Sequence, residues 1–242
     1  MSYRTRKWLL RIGLVLVVLY VGIQFFADFY IPRREIYYRL EVTFEVNGVP
    51  ISGHGVQKLV VRRIPPILES AQMIWRVYGE AISINLPERG SIYILMASPT
   101  DEGIFTHSVK GGFDMLLKEA CDLYQMQQRL SWAEYVRAIG EIKGTCVIAL
   151  KDLPLMVHFK DRADPASVER VFPRHPESVF GQGVRFLSAQ ATITTAPISS
   201  GIKKQLKWLT DDTEHSLIKE APSTTPSFPA IVLYGYFRRI QK

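Results

Sequence analysis

The chain has 242 residues, 47% of them hydrophobic, and a formal net charge of +7 at pH 7. Most of this charge lies near the N-terminus, because residues 1–34 hold six Lys or Arg and one Asp, which leaves +2 for residues 35–242. Nucleic-acid binding domains carry their basic excess on the folded domain, so the charge distribution argues against a nucleic-acid partner. The roughly two hundred residues after the basic segment are enough to bury one sizeable core.

Residues 9–27 form an apolar run in which thirteen positions are Leu, Ile, Val or Phe. Arg11 lies near one end of this run, where a long basic side chain can reach the lipid headgroups. Trp8 and Tyr30 bracket the run at about the spacing of a hydrocarbon core, and both ring types favour the boundary between water and lipid. The sequence therefore predicts a transmembrane anchor in which Trp8, Arg11 and Tyr30 suit a lipid bilayer.

Two other interpretations of the run are weaker. A cleaved secretory signal needs small residues before the cut, and Phe25 stands where a small residue is expected ahead of a cut after Ala27. A buried core helix is disfavoured by the length of the run and by its place at the extreme N-terminus. The basic residues Arg4, Arg6 and Lys7 favour a cytoplasmic N-terminus, which puts the rest of the chain outside the cytoplasm.

The chain is predicted to consist of four segments. Residues 1–35 comprise a cytoplasmic tag, the transmembrane anchor and a short linker, and residues 36–210 form one extracytoplasmic α+β domain. Residues 211–229 mix acidic residues with Ser, Thr and Pro, a composition typical of a flexible tether. Residues 230–242 form a docking tail, in which the apolar stretch 231–237 is expected to pair as an edge strand, on its own domain or on a partner.

Residues 38–46 alternate between apolar and polar side chains, which predicts a half-buried strand. Asn47-Gly48 supplies the positive φ angles that a tight hairpin turn needs. The β-branched stretch 56–62 can then return beside the first strand, after an irregular start that Gly53 and Gly55 indicate. The first structural unit of the domain is therefore predicted to be an antiparallel hairpin.

The middle of the domain is predicted to be helical. Apolar residues recur at three and four positions between Phe113 and Tyr124, which indicates a helix that continues to Arg129. Ser131 and Glu134 fit the reciprocal capping box at the start of a second helix. The predicted fold class is α+β, with antiparallel hairpins flanking this central helical pair. The remaining predicted elements are a second hairpin (74–86 with 92–96), strands at 145–150, 155–159 and 184–195, a polar loop after 159 and a short helix within 202–209.

The two cysteines, Cys121 and Cys146, would lie in an oxidising compartment if the domain is extracytoplasmic. Their spacing alone does not decide between a disulfide and two buried free thiols. The sequence leaves both states open.

Six short segments form a pattern when taken together: 78–81 (YGEA), 155–161 (LMVHFKD), 183–185 (GVR), 192–194 (TIT), 201–209 (GIKKQLKWL) and 234–239 (YGYFRR). This pattern resembles an uncharacterised family of proteobacterial envelope proteins, each with one N-terminal membrane span. The resemblance covers most of residues 36–210 and the end of the chain. It implies a bacterial inner-membrane protein with a periplasmic main domain, and it carries over no catalytic residue.

Ser200 and Lys203 match the S-x-x-K spacing by which a lysine one helical turn away can activate a serine nucleophile. Neither S-D-N nor K-T-G, the motifs that accompany it in penicillin-recognising enzymes, occurs in the chain, and Ser199 or Ser200 at a helix start is explained as an N-cap. His54, which lies between two glycines, is the most accessible histidine that could act as a base, and a turn residue is its structural alternative. These residues, Ser200, Lys203 and His54, are the candidate catalytic group of a hydrolase.

No cofactor or metal is predicted. The five histidines never stand at a paired zinc spacing, and His158 within an apolar strand is typical of a hydrogen-bonded structural residue. Gly181 and Gly183 run into a strand, whereas a phosphate-binding glycine loop opens a helix. The sequence therefore favours a membrane-anchored, non-enzymatic binding or structural protein with another envelope protein as partner. The alternative is an anchored periplasmic hydrolase acting on cell-wall or lipid material, and the oligomeric state is left open.

Overall fold

The computed structural model describes residues 3–30, 33–63, 73–97, 116–117, 121–209, 217, 232 and 237–239. These residues form a mixed α+β structure, mostly antiparallel sheet with few helices, which confirms the predicted class. The helices are α1 (Tyr3–Tyr30), α2 (Leu123–Arg129), α3 (Trp132–Ile139), α4 (Glu177–Phe180) and α5 (Ile202–Gln205). The strands are β1 (Arg34–Val46), β2 (Val49–Arg63), β3 (Met73–Glu80), β4 (Ile82–Leu86), β5 (Gly90–Ile94), β6 (Thr145–Val147), β7 (Met156–Phe159), β8 (Val168–Val171), β9 (Val184–Thr194) and β10 (Arg238–Arg239).

The first sheet has six strands in the order β10-β3-β2-β1-β9-β6. Its centre is the long antiparallel hairpin of β1 and β2, which turns through Asn47 and Gly48 with φ angles of 52° and 85°. Alternate side chains of β1, from Ile36 to Val46, are buried, because one face of this strand packs on a core and the other does not. The predicted first strand and its hairpin turn are confirmed.

The second sheet has four strands in the order β4-β5-β7-β8. Its β4–β5 hairpin confirms the second predicted hairpin. The stretch 74–86 is not a single strand, however, because β3 pairs in the first sheet and β4 in the second, and the chain changes sheets at Ala81. Gly79 has a φ of 153°, and a Cβ there would lie 2.9 Å from Cγ of Gln57. Glycine is therefore needed just before the change of sheet.

Strand β2 pairs with β1 without interruption through Gly53 and Gly55, so the predicted irregular start of this strand is wrong. The two glycines serve the contact between the sheets. A Cβ at Gly53 would lie 2.5 Å from Cγ1 of Ile84, and a Cβ at Gly55 would lie 2.8 Å from Cγ1 of Ile82. The absence of a side chain at both positions lets β4 pass close over β2.

Two hydrophobic cores lie on opposite faces of the second sheet. The first core lies between the two sheets, and the second lies beyond the second sheet, where α5 and residues from the C-terminal end cover it. Successive residues of β5 contribute alternately, with Ile92 and Ile94 in the first core and Tyr93 in the second. Strand β5 of the second sheet is therefore buried on both faces.

Helix α3 begins with the predicted capping box. The Ser131 Oγ accepts a hydrogen bond from the Glu134 N–H at 3.5 Å, and a Glu134 carboxylate oxygen accepts one from the Ser131 N–H at 3.0 Å. Tyr135, Val136 and Ile139 on the same helix are buried. The capping motif therefore placed the start of this helix correctly.

The helix predicted to run without a break to Arg129 is interrupted. Cys121 and Asp122 form a turn in which Asp122 has a φ of 54°, and α2 begins after it. Residues 116–117 are helical, whereas the rest of the stretch 113–120 lies outside the described residues.

A disulfide joins Cys121 to Cys146, with the two Cα atoms 5.3 Å apart. The sequence left open whether these cysteines are bridged or free, and in the structure they are bridged.

The polar loop predicted after Phe159 contains a strand, β8, which pairs with β7. Val168 and Val171 of this strand are buried, whereas Glu169 and Arg170 between them are half-buried. A strand this short does not show the alternation by which longer strands are recognised. The predicted strand at 145–150 is also shorter, because β6 ends at Val147.

The described residues near the C-terminus pack on the second core. Val232 and Phe237 are fully buried, and the Leu217 N–H donates to the Val232 carbonyl at 2.9 Å. Strand β10 pairs with Gly79 and Glu80 of β3, directly after the stretch 231–237 that was predicted to dock. The edge strand thus lies on the chain's own first sheet. Most of 231–237, and most of the predicted tether apart from Leu217, lie outside the described residues.

Helix α1 has 28 residues, and the side chains described along it, Trp8 and residues 11–23, are exposed. Consecutive apolar residues are exposed from Leu14 to Leu19, so the apolar surface surrounds the helix on all sides. Among the described residues, no helix combines the length and the apolar character that crossing a bilayer requires.

Candidate functional site

The segment that holds Ser200 follows the edge of β2 and leads into α5. The Ser199 N–H donates to the Val56 carbonyl at 3.0 Å, and the Ser199 Oγ accepts from the Val56 N–H at 2.9 Å. Ser199 thereby continues the pairing of β2 beyond the end of β3. Ser200 is exposed, and Lys203 is partly exposed. The predicted N-cap role of Ser199 or Ser200 is wrong, because Gly201 occupies that position.

Glu80, at the end of β3, binds the first turn of α5 instead. One carboxylate oxygen accepts from the N–H groups of Gly201 at 2.5 Å and Ile202 at 2.9 Å. The other oxygen forms a salt bridge with Nε of Arg238 at 2.9 Å. A carboxylate suits these backbone donors, which carry partial positive charge. The buried Glu80 therefore joins β3, α5 and β10, and its role is structural.

His54 lies in the middle of β2, opposite Glu41, and its side chain is exposed. It is therefore a strand residue, and the alternative that made it a turn residue is wrong. The neighbouring positions Gly53 and Gly55 face β4, so His54 points to the outer face of the first sheet. His54 and Ser200 are both exposed and share no buried pocket among the residues that the structure describes.

His158 has the structural role that the sequence predicts. Its Nδ1 shares a hydrogen bond with the Ser91 carbonyl at 3.0 Å, and its ring packs edge-on against Phe180 with the centroids 5.0 Å apart. Within the described ranges, no three His, Cys, Asp or Glu side chains are grouped closely enough to hold a metal ion.

The predicted anchor residues lie along α1. Trp8 is 66% exposed, and Arg11 is also exposed. Tyr30 is the last residue of α1, and its side chain lies outside the described part of the structure.

A cavity of 380 Å³ opens where β7 begins and β8 ends. We call it the basic cleft, because Lys151, Arg170, Arg174 and His175 all line it. Its volume lies at the lower end of the range, about 300–1,000 Å³, that is usual for small-molecule sites. The other lining residues are Leu150, Leu153, Pro154, Leu155, Met156, Val171, Phe172 and Pro173.

The charge of the basic cleft is largely uncompensated. Glu169, the acidic neighbour of Arg170, forms its salt bridge with Lys160 at 3.1 Å. His175 has Glu177 at 3.3 Å. No carboxylate among the described residues pairs with Lys151, Arg170 or Arg174, so the cleft favours an anion.

Arg170 makes a contact with an aromatic ring. Its guanidinium carbon lies 4.6 Å from the centroid of the Phe172 ring, which is a cation–π contact. Partial burial lowers the pKa of the Arg170 guanidinium from its ordinary value, although arginine stays charged at neutral pH. A half-buried guanidinium is suited to bidentate contacts with a carboxylate or a phosphate.

Exposed apolar side chains adjoin the basic cleft. Phe172 is 47% exposed and Leu150 is 37% exposed, and both line the cavity. Val147, three positions before Leu150 in the chain, is 74% exposed. Apolar groups on a surface beside an uncompensated charge are typical of a binding site.

Sequence reasoning missed the basic cleft because it assigned the segment after Phe159, which contains Asp164-Pro165 and Pro173, to a polar loop. The signal that could have found it is the run Arg170 to His175, in which an aromatic residue and a proline stand among three basic side chains. The second wall, Leu150 to Met156, lies about twenty residues earlier in the chain. Only the pairing of β7 with β8 brings the two walls together.

No protein-family model, no curated protein and no solved structure matches this chain. The function of the basic cleft therefore has to be inferred from its own chemistry.

Proposed function

We propose that the chain is a bacterial inner-membrane protein, anchored by α1, whose periplasmic domain binds another envelope component and does not act as an enzyme. Support for the anchor comes from the apolar side chains that surround α1 on all sides, since water is an unfavourable solvent for such a surface. Arg4, Arg6 and Lys7 ahead of the run favour a cytoplasmic N-terminus. The Cys121–Cys146 disulfide agrees with an oxidising compartment.

The observation that carries the binding role is the composition of the basic cleft. Among the described residues that line it there is no Ser, Thr, Cys, Asp or Glu. A hydrolase commonly uses a Ser, Thr or Cys nucleophile or an acidic residue, and the one candidate base in the lining, His175, is exposed with none of these residue types beside it in the lining. A binding site needs charge and apolar surface. The candidate hydrolase residues Ser200 and His54 are exposed elsewhere on the domain. The cleft therefore supports recognition more than catalysis.

A reporter fusion tests the topology. The reporter is placed after Lys242, because Phe237 and β10 pack on the domain and must be kept. We expect an alkaline phosphatase, which is active only outside the cytoplasm, to be active in this fusion. A fluorescent protein that folds only in the cytoplasm is the matched control and should stay dark. A bright fluorescent fusion with an inactive phosphatase would reverse the proposed topology.

Photo-crosslinking from two exposed valines tests the binding role in native envelopes. A crosslinking amino acid at Val147, three positions before the cleft residue Leu150, is expected to give a discrete adduct that Arg170→Gln weakens. Val49 is 57% exposed at the turn of the first hairpin and serves as the matched control. Equal labelling from the two positions, or an adduct from Val147 that Arg170→Gln leaves unchanged, contradicts a partner surface at the cleft.

A further inference from the structure

The basic cleft combines two features that a simple ion site does not need together. Its basic groups, Lys151, Arg174 and His175, are exposed at the rim, whereas Arg170 is half-buried. The apolar side chains that a ligand can reach in the cleft are Leu150 and Phe172, which are 37% and 47% exposed, whereas the buried apolar residues beneath them lie in the cores. Inorganic anions are recognised by hydrogen-bond donors alone, so the exposed apolar side chains indicate that the ligand has an apolar part.

The geometry points to an amphipathic anion as the ligand: we propose that the basic cleft binds a carboxylate or a phosphate monoester attached to a short apolar body. This inference rests on the proposed binding role of the domain. Arg170 contacts the anionic head, because its guanidinium lies beside the Phe172 ring and has no carboxylate partner among the described residues. The apolar body lies against Leu150 and Phe172, and a cavity of 380 Å³ holds a short alkyl body together with its anionic head.

The rim residues contribute differently from Arg170. Lys151 and Arg174 are exposed, so water and salt screen their attraction for the anion. They raise the rate of association and add little to the lifetime of the complex. His175 already has Glu177 at 3.3 Å, which reduces its share of the attraction. The affinity therefore depends mainly on Arg170 and on the exposed apolar side chains of Leu150 and Phe172.

Calorimetric titration of the full chain in phosphatidylcholine nanodiscs tests the inference, because these discs carry no net anionic lipid. Hexyl phosphate and hexanoate are the probes, and we expect saturable binding with a Kd below about 1 mM. Inorganic phosphate lacks the apolar body, and hexanol and hexylamine lack the anionic head. Each of these three controls is expected to bind at least about tenfold more weakly than hexyl phosphate.

Variants assign the binding to the cleft. Arg170→Gln is expected to weaken hexyl phosphate binding by about tenfold or more, because a charge-assisted pair is lost, and Arg170→Lys should give an intermediate loss. Lys204→Gln removes one exposed positive charge on α5 and is the matched control, with no change expected. We expect Arg170→Gln to unfold at the same temperature as the wild type, and equal unfolding temperatures would show that the weaker binding is not caused by misfolding.

A last experiment distinguishes two sources of the anion, a membrane lipid and a free molecule. Phosphatidate carries a phosphate monoester within the bilayer, so discs that contain it should weaken hexyl phosphate binding if the natural head belongs to a membrane lipid. Unchanged binding assigns the cleft to a free molecule of the same chemistry.

Three results would overturn the inference: inorganic phosphate binding as tightly as hexyl phosphate, hexanol binding as tightly, or no saturable binding of either probe. A crosslinked adduct at Val147 that persists in that last case leaves the proposed binding function standing, so the two failures are distinguishable.

Discussion

Strands β1 and β5, one from each sheet, differ in the number of faces they bury, and the sequence of each reflects this difference. Strand β1 of the first sheet alternates strictly between buried and less buried side chains, because only one of its faces packs on a core. Strand β5 of the second sheet is buried without a break from Ser91 to Ile94, because both of its faces are covered. An alternating sequence predicts which side chains of a strand face the core. A continuous apolar sequence predicts that the strand is buried, but it does not show which parts of the chain cover it.

The second sheet therefore depends on covering layers from distant parts of the chain. Its outer face packs on α5 and on Leu217, Val232 and Phe237, which come from segments that the sequence assigned to a short helix, a tether and a docking tail. The Phe237 ring lies 5.9 Å from that of Phe159 and 5.7 Å from that of Trp208, measured between centroids. The end of the chain is thus part of the core of the domain.

The largest expected effect comes from removing that aromatic cover. Phe237→Ala is expected to lower the free energy of unfolding by about 3–5 kcal/mol, as much as Phe44→Ala in the first core, because both side chains are fully buried. Denaturant unfolding of the full chain in nanodiscs measures both losses. Leu187→Ala, at a partly exposed site, is the control and should stay within about 0.5 kcal/mol of the wild type. A loss below about 1 kcal/mol for Phe237→Ala alone would show that the second core contributes little to stability.

The carboxylate that joins the two regions gives the next largest effect. Glu80→Ala leaves two backbone N–H groups at the start of α5 and the Arg238 side chain without this acceptor. We therefore expect the free energy of unfolding to fall by about 3 kcal/mol. Arg238→Gln alone is expected to cost less, because Arg238 is more exposed than Glu80. A double-mutant cycle of the two substitutions measures their coupling. Strictly additive losses would contradict a direct contact between Glu80 and Arg238.

The sequence predicts most reliably where the structure is determined locally. Residues 38–48 contain both the alternation and the turn residues of the first hairpin, and Ser131 with Glu134 contains the whole capping motif, so both were predicted correctly. Cys121-Asp122 breaks the central helix through a left-handed turn at Asp122, a residue type that tolerates this conformation without requiring it. Periodicity alone therefore did not reveal this break.

The site was harder to predict than the fold because its parts are far apart in the chain. The S-x-x-K match drew attention to Ser200 and Lys203, yet the residue that binds the start of α5 is Glu80, more than a hundred positions earlier. The basic cleft likewise needs β7 and β8 to pair before Lys151 and Arg170 line one cavity. Contacts of this kind follow from tertiary packing, which no spacing within a single segment encodes.

The crossing of the two sheets makes a sharper prediction about the glycines of β2. Gly53→Ala places a Cβ 2.5 Å from Ile84 and 2.8 Å from the Ser83 carbonyl oxygen, and backbone cannot move aside cheaply. We expect a loss of about 1–3 kcal/mol in the free energy of unfolding. His54→Ala, on the opposite face of the same strand, is the matched control and should change stability by less than about 0.5 kcal/mol. Equal effects of the two substitutions would mean that the sheets are not in close contact at Gly53.

The smallest effect is expected on the exposed face of the first sheet, where Glu45 and Arg185 form a bidentate pair with both nitrogen–oxygen distances at 2.7 Å. The hydrogen bonds from Arg185 hold the pKa of Glu45 below its ordinary value of 4.5. Because the folded state binds the proton less tightly than the unfolded state, the pair stabilises the fold above pH 4.5, and this contribution is lost as the pH falls through the lower pKa of the folded state. Glu45→Gln should therefore be less stable than the wild type at pH 7, and the difference should shrink as the pH drops below 4.5.

Chemical denaturation across this pH range measures the difference in the free energy of unfolding. The double variant Glu45→Gln with Arg185→Gln is the control, since it should show the same weakened pH dependence as Glu45→Gln. A difference that stays constant through the acid range would place the effect of Glu45 in packing, since only an ionisable contact disappears with protonation.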